Sequence, residues 1–230
     1  MRPVVALLQA RMGSTRLPGK VLLPIEGRPM LEQLVRRLRP SRWIDRLVIA
    51  TTTEPADDAI VAAAARMEVA VFRGSESDVL GRFAAAARAF DAATVVRLTA
   101  DNPLVDAAFV DLVLDRFAAA GVAYAETTTS RTYPYGLSVE VFARAALDAA
   151  AAEATAPADR EHVTPFIRRD PVRFPGLALV APEAHGDLRW TVDTAVDLAH
   201  VRGLFAALGL GERPLGHELI IRHERGQSSG

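Results

Sequence analysis

The sequence predicts an α/β protein: a three-layer sandwich around a mostly parallel, mixed sheet. Three observations predict it. Apolar runs of strand length alternate with segments of helical period along the first half of the chain. The first run (Val4, Val5, Ala6, Leu7, Leu8) is unbroken by polar residues, as in a strand covered on both faces. At 230 residues, half of them hydrophobic and 24% charged, the chain can bury one full core.

The elements follow in order. After the strand Val4–Gln9 comes a helix over Met30–Leu38, then a strand over Arg46–Thr51. A helix over Ala56–Arg66 starts at Pro55, with Asp57 and Asp58 favouring its positive dipole end. The strand Ala70–Arg73, the helix Val79–Phe90, the strand Thr94–Leu98, the helix Ala107–Ala119 and the strand Val122–Glu126 continue the pattern. From Thr127 to Gly136 the chain is polar with Pro and Gly punctuation, which reads as a long loop. The alternation from Leu137 to Val141 predicts another strand, and the alanine-rich Ala143–Ala152 a helix. One domain is expected over residues 1–224: a first half to about 126, a second subregion over about 127–190, and a disordered tail at 225–230.

Composition excludes several function classes. The absence of cysteine removes disulfides, thiolate metal sites and cysteine nucleophiles. A net charge of −1 argues against a general nucleic-acid surface, while local basic clusters suit a small anion. The N-terminal apolar run is too short for a signal peptide or membrane span, so a cytoplasmic location is expected.

The loop Gln9–Leu22 is the most informative stretch. It follows the first strand, carries glycines near both ends, and holds Arg11, Arg16 and Lys20. Turned amides and clustered cations suit a nucleoside triphosphate; the plain alternative is a solvated basic loop. It is neither familiar phosphate loop. Five residues separate Gly13 from Gly19 and Val21 follows Lys20, so the Walker pattern fails, and Ser14-Thr15 after Gly13 breaks the dinucleotide fingerprint.

Two acids end strand-like runs. Asp101, after Arg97-Leu98-Thr99-Ala100, faces the crevice where α/β proteins bind ligands and suits Mg²⁺, the alternative being a helix cap. Asp106, just before Ala107, is read as that cap. Asp193 ends the run Arg189–Val192; Thr194 and Asp197 have capping-box spacing, leaving Asp193 as a second metal ligand. In Arg73–Phe83, Gly74 opens a turn, and Asp78 with Arg82 form either an i,i+4 pair on a solvated face or a base- or ribose-reading pair.

Read together, the stretches Gln9–Leu22, Arg73–Phe83, Arg97–Asp106, Tyr133–Phe142, Arg160–Ile167 and Arg189–Asp197 resemble the cytidylyltransferase family that activates acidic sugars, acylneuraminate and octulosonate enzymes among them. Within it, the chain is most similar to the spore-coat polysaccharide biosynthesis branch. The resemblance implies a nucleotide-diphospho-sugar transferase fold (GT-A-like, Rossmann-like) and CMP transfer from CTP with pyrophosphate release. It implies that Arg11, Arg16 and Lys20 grip the triphosphate and act in catalysis, and that Asp101 and Asp193 hold Mg²⁺. The nucleotide site then takes in Leu8, Gln9, Ala10, Arg11, Gly13, Ser14, Arg16, Lys20, Arg73, Gly74, Asp78, Arg82, Thr99, Ala100 and Asp101. A homodimer through the second half is also implied.

For the acceptor, Arg131 and Arg160 suit a carboxylate or phosphonate. Tyr133 and Tyr135 line either the acceptor or a dimer contact. Glu140 binds acceptor hydroxyls or lies on a solvent face, and His162 is a general base or a structural hydrogen-bonding residue. His185, His200, His217 and His223 lack metal-ligand spacing. Two other functions were weighed: a GT-A-fold glycosyltransferase consuming a nucleotide sugar, and a non-catalytic nucleotide-binding protein.

Overall fold

The structure, a computed structural model, describes residues 1–213 and 215–226. Its elements are β1 (Val4–Gln9), a short hairpin of β2 (Pro24–Ile25) and β3 (Arg28–Pro29), α1 (Met30–Leu38), β4 (Arg46–Thr52), α2 (Asp58–Arg66), β5 (Ala70–Gly74), α3 (Val79–Ala89) and β6 (Thr94–Thr99). They continue with α4 (Ala107–Ala120), β7 (Tyr124–Glu126), β8 (Glu140–Ala143), α5 (Arg144–Glu153), α6 (Pro157–His162), α7 (Pro165–Arg169), β9 (Gly176–Ala178), α8 (Ala195–Leu208) and α9 (His217–Glu224).

The seven-stranded sheet runs β5-β4-β1-β6-β8-β7-β9. Strands β5, β4, β1 and β6 are mutually parallel, β8 is antiparallel to both neighbours, and β9 is parallel to β7. The chain steps from β1 outward through β4 to β5, then returns to place β6 on the other side of β1. The order therefore reverses at β1 and β6, and their carboxyl ends flank the crevice where open α/β sheets bind ligands.

The alternation of β1 explains the two helical layers. Val4, Ala6 and Leu8 face one core with Leu34 and Leu38 of α1, Phe109 and Val113 of α4, and Val201 and Phe205 of α8. Val5 and Leu7 face the other, with Leu80 and Phe83 of α3 and Leu147 of α5. Strand side chains point to opposite faces with a period of two, so five consecutive residues serve both cores. The α/β sandwich expected from the sequence is the fold observed.

Three elements differ from expectation. The strand expected over Leu137–Val141 starts at Glu140 and extends to Ala143. Leu137 and Val139 are buried all the same, and Val139 N donates to Thr127 Oγ1 at 3.1 Å rather than to a ladder. The run Arg189–Asp193 is extended but joins no strand of the sheet. Its amides go to a loop instead, Trp190 N to Tyr135 O at 2.7 Å and Val192 N to Asp101 O at 2.8 Å. The β2–β3 hairpin is absent from the sequence reading because its turn is Glu26-Gly27, both at positive φ (50° and 74°), without the usual asparagine or aspartate.

Of the expected tail at 225–230, Arg225 forms the carboxyl cap of α9 and pairs with Asp187 at 2.6 Å, while residues 227–230 lie outside the described residues. The change of pattern near Thr127 does not divide the sheet, since β8 is inserted between β6 and β7.

Candidate active site

Gln9 and Ala10 carry β1 into the basic loop, which folds back on Met12. The Met12 carbonyl accepts from Ser14 N at 2.9 Å and Gly19 N at 3.1 Å. Gly19 sits at φ 68° and caps a single 3-10 turn, Lys20–Leu22, that the sequence reading had left as irregular loop. A residue with a Cβ would strain that left-handed position. The turn directs Lys20 inward, so its ammonium is largely buried while Arg11 and Arg16 stay at the rim.

A residue the sequence reading treated only as a dipole partner bolts this loop down. Asp57, 2% exposed, accepts Met12 N at 2.7 Å, Thr51 Oγ1 at 2.9 Å and Thr52 N at 3.1 Å. It therefore ties the loop to the carboxyl end of β4.

Lys20 Nζ donates to Asp101 Oδ2 at 2.8 Å, to Val192 O at 2.8 Å and to Asp193 Oδ1 at 3.1 Å. The two acids proposed for metal are thus brought within reach of one ammonium. Asp193 also faces Arg16 at 3.0 Å and Arg189 at 2.9 Å. Burial raises its carboxyl, but the hydrogen bond and charge of Lys20, then Arg16 and Arg189, bring it below the usual carboxylate range. Asp193 is fixed from both sides. Val192 N binds the Asp101 carbonyl, and Thr194 opens α8 with the expected capping box, its hydroxyl receiving Asp197 N at 3.2 Å while Asp197 Oδ2 receives Thr194 N at 2.8 Å. Asp106 caps α4 as expected, accepting Phe109 N at 2.9 Å.

A cleft of about 290 Å³ runs over Gln9, Ala10, Arg11, Gly13, Ser14, Arg16, Lys20, Thr99, Asp101 and Asp193. A second cleft, about 570 Å³, shares Arg16, Thr99, Asp101 and Asp193 with it and continues past Arg97, Asn102, Tyr135, Ser138, Glu140, His162, Thr164 and Arg168. The two meet at the acid pair.

Several expected residues are engaged elsewhere. Leu8 and Ala100 are buried and line neither cleft. Arg73 donates to the Thr52 and Glu54 carbonyls and pairs with Asp58 at 2.6 Å. Gly74 ends β5 beside it, its carbonyl receiving Thr53 N at 3.0 Å. Asp78 and Arg82 meet only through the backbone, Arg82 N donating to Asp78 O at 3.0 Å, and their side chains turn to other partners. Asp78 caps α3 through Gly81 N at 2.9 Å and pairs with Arg160, while the buried Arg82 binds the Ser75 carbonyl. Arg160 also donates to Ala151 O at 2.7 Å, so it clamps α3, α5 and α6 and does not line the acceptor cleft. Each is committed to structure by an intramolecular partner.

The acceptor side is partly as expected. His162 and Tyr135 line the larger cleft. Arg131 and Tyr133 line a neighbouring one, with Tyr133 packed edge-on against Phe109 at 4.9 Å. Glu140 is buried, not on a solvent face, and its oxygens receive Arg97, Tyr124 Oη at 2.6 Å and Thr164 Oγ1 at 2.7 Å. It holds Arg97, Tyr124 and Thr164 in place while lining the larger cleft. The Arg160–Pro165 run gains a physical account: Val163, wholly buried at φ 71°, makes a strained turn between α6 and α7 that aims His162 and Thr164 at the cleft.

Residues the sequence reading did not assign include Arg97, Asn102, Thr164 and Arg168. A charged residue inside the apolar run Val95–Leu98 was the signal for Arg97. Asn102 is 5% exposed, with Nδ2 on Thr99 Oγ1 at 2.9 Å and Oδ1 without a partner among the described residues. Gly136, at φ 120°, lets the Tyr135 loop lie on Thr191; a Cβ there would stand 2.5 Å from Thr191 N.

Among the described residues no three His, Cys, Asp or Glu side chains converge as a metal cage. Two carboxylates beside a triphosphate-sized basic cleft nonetheless fit Mg²⁺, which binds through one or two carboxylates, phosphate oxygens and water.

Asp57 and Asp197 supply a pH prediction. Burial raises Asp57, but the Thr52 and Thr51 hydroxyls and the Met12 and Thr52 amides hold it below its ordinary value. The Arg189 hydrogen bond holds Asp197 well below its own. Unfolded aspartate titrates at about 3.9. The stabilisation from both is complete above that value and lost as pH falls through the lowered folded values. Urea midpoints are expected to be level down to about pH 5 and to drop below about pH 4. An Asp57→Asn, Asp197→Asn double variant should start lower and show a shallower acid slope; an unaltered slope would refute the assignment.

The chain matches the cytidylyltransferase family over residues 5–197. It is 37% identical over 221 residues to the spore coat polysaccharide biosynthesis protein SpsF of Bacillus subtilis, covering 93% of this chain and 90% of that protein. A cytidylyltransferase structure from Leptospira borgpetersenii aligns with a TM-score of 0.85 at 32% identity, over 89% of this chain and 87% of that one. A CMP:2-keto-3-deoxy-manno-octonic acid synthetase complexed with CTP shares the fold, with a TM-score of 0.67 at 18% identity over 89% of this chain and 99% of that one.

Proposed function

We propose that this chain, which belongs to the cytidylyltransferase family, transfers CMP from CTP to a small acceptor (an acidic sugar, sugar derivative or phosphonate) and releases pyrophosphate, with Mg²⁺. The observation that carries this reading is the pair of clefts meeting at Asp101 and Asp193, which Lys20 bridges, one sized and charged for a triphosphate, the other lined by hydroxyl, amide and cationic groups. The CTP complex of the structural neighbour supports the choice of nucleotide. The name of the Bacillus relative suggests that the product feeds polysaccharide assembly.

In this mechanism an acceptor oxygen attacks the α-phosphorus in line, forming the new P–O bond as the bond to the β-phosphate oxygen breaks. Arg11 and Arg16 at the rim neutralise the outer phosphates, and the buried Lys20 donates to oxygens gaining charge on the leaving pyrophosphate. Asp101 and Asp193 would hold Mg²⁺, whose charge further stabilises the transferring phosphoryl group. On this reading His162, which lines the larger cleft with Arg168 and Arg97, takes the acceptor proton. The chemistry is mainly positioning and charge neutralisation.

The enzyme works as a homodimer in the cytoplasm on this reading. Among the described residues, no helix is long and apolar enough to cross a membrane. The decisive assay adds each nucleoside triphosphate with Mg²⁺ to a panel of acidic sugars, sugar derivatives and phosphonates and measures pyrophosphate. CTP-dependent release with one acceptor class is expected. Release with UTP or GTP but not CTP would overturn the nucleotide assignment.

A further inference from the structure

We infer that Lys20 is a charge plug: in the nucleotide-free protein its ammonium occupies the position between Asp101 and Asp193 and closes it to divalent cation until a triphosphate draws it away. The inference rests on the proposed cytidylyltransferase reading, and concerns the order in which that site fills.

The geometry is specific. Lys20 Nζ has three acceptors, Asp101 Oδ2, Val192 O and Asp193 Oδ1, at 2.8, 2.8 and 3.1 Å. An ammonium has three protons to donate, so all are committed. Asp101 has no other cation within bonding distance among the described residues, whereas Asp193 has Arg16 and Arg189 as well. Two carboxylates brought together without a cation would repel, and the lysine relieves that repulsion. A metal ion arriving alone must displace an ammonium whose stem is already buried, and gains only two protein ligands, since no third acid or histidine converges there among the described residues.

An incoming triphosphate changes the balance. Its phosphate oxygens compete for Lys20 and for Arg16, which is exposed on the shared wall of both clefts. Once they turn to the phosphates, the acids are left needing a cation, and the phosphates add ligands for it. Metal and nucleotide binding are thereby coupled, each raising the affinity for the other.

The test uses Mn²⁺ alone, followed by the electron paramagnetic resonance signal of the free ion, with no nucleotide and no turnover. Lys20→Gln is expected to bind Mn²⁺ at least tenfold more tightly than wild type, and adding Asp101→Asn to that variant should abolish the gain. Lys20→Met, which keeps the apolar stem, is the second variant should Lys20→Gln fold poorly, with circular dichroism checking each. Arg16→Gln, at an exposed position, should give a smaller gain. Equal Mn²⁺ affinity in wild type and a folded Lys20 variant overturns the plug. Failure of CTP-dependent pyrophosphate release in wild type would instead overturn the functional reading, and leaves the metal titration independent of it.

Discussion

Lys20→Ala is expected to fold and to release pyrophosphate from CTP about 10²–10³-fold more slowly than wild type, by analogy with deletion of a single preorganised donor to a developing oxyanion. Burial makes the effect large. The Lys20 side chain is 11% exposed against 48% for Arg11 and 63% for Arg16, so its charge acts through less water than theirs. Arg16→Ala should cost less in kcat and more in KM for CTP, since an exposed arginine binds the ground state about as well as the transition state. The measurement is steady-state pyrophosphate release with a saturating acceptor. A folded Lys20→Ala protein retaining full kcat would sink the catalytic assignment.

The largest expected effect on stability lies away from the cleft, at Asp106. Arg37 is 2% exposed; its Nη2 donates to the carbonyls of Leu104 and Leu215, and its Nε and Nη1 have no partner among the described residues. Burial drags this guanidinium down to about 10, and the Asp106 charge, 3.9 Å from Nη2, opposes that fall. Asp106 also caps α4 and receives His217 N at 2.7 Å, fastening α9 onto the core. Its own carboxyl, which burial would raise, is brought below its ordinary value by His217, the Phe109 amide and Arg37. Asp106→Ala removes the cap and strands a buried cation, a loss of about 3–5 kcal/mol. Asp106→Asn keeps the cap acceptor but not the charge and should fall between. Urea unfolding followed by circular dichroism reads both, and a loss below about 1 kcal/mol for Asp106→Ala, no more than an ordinary cap, would show that the pairing is immaterial.

What the sequence revealed was local. Strands β1, β4, β5 and β6 are visible because each is a short apolar run, and helices α1, α3 and α4 because their period is sustained. The capping acids Asp106 and Asp197 are legible from their spacing alone. Contacts set by the meeting of distant segments were hidden. Nothing near Asp57 reveals that it receives Met12 N from 45 residues away, nor does the Arg160 motif announce Asp78, 82 residues distant. A loop cation and a helix clamp look alike in sequence, so Arg16 and Arg160 received similar functional readings and only one reaches the clefts. The surroundings of Glu140 were hidden for a related reason. Alternation puts it on one face of a strand, but whether that face meets water or a buried arginine depends on Arg97, Tyr124 and Thr164.

The bond from Lys20 to Asp193 spans 173 residues. A ribosome extends the chain from its amino end, so the basic loop and Asp101 have left the exit tunnel long before Asp193 is made. A growing chain can assemble the parallel strands and display the cations, yet it lacks the second carboxylate until Asp193, 92 residues after Asp101, has been joined. The charge balance of the site is thus completed well after its cations are displayed, and a ribosome stalled between Asp101 and Asp193 would carry a nascent protein whose loop cation lacks one of its two acids.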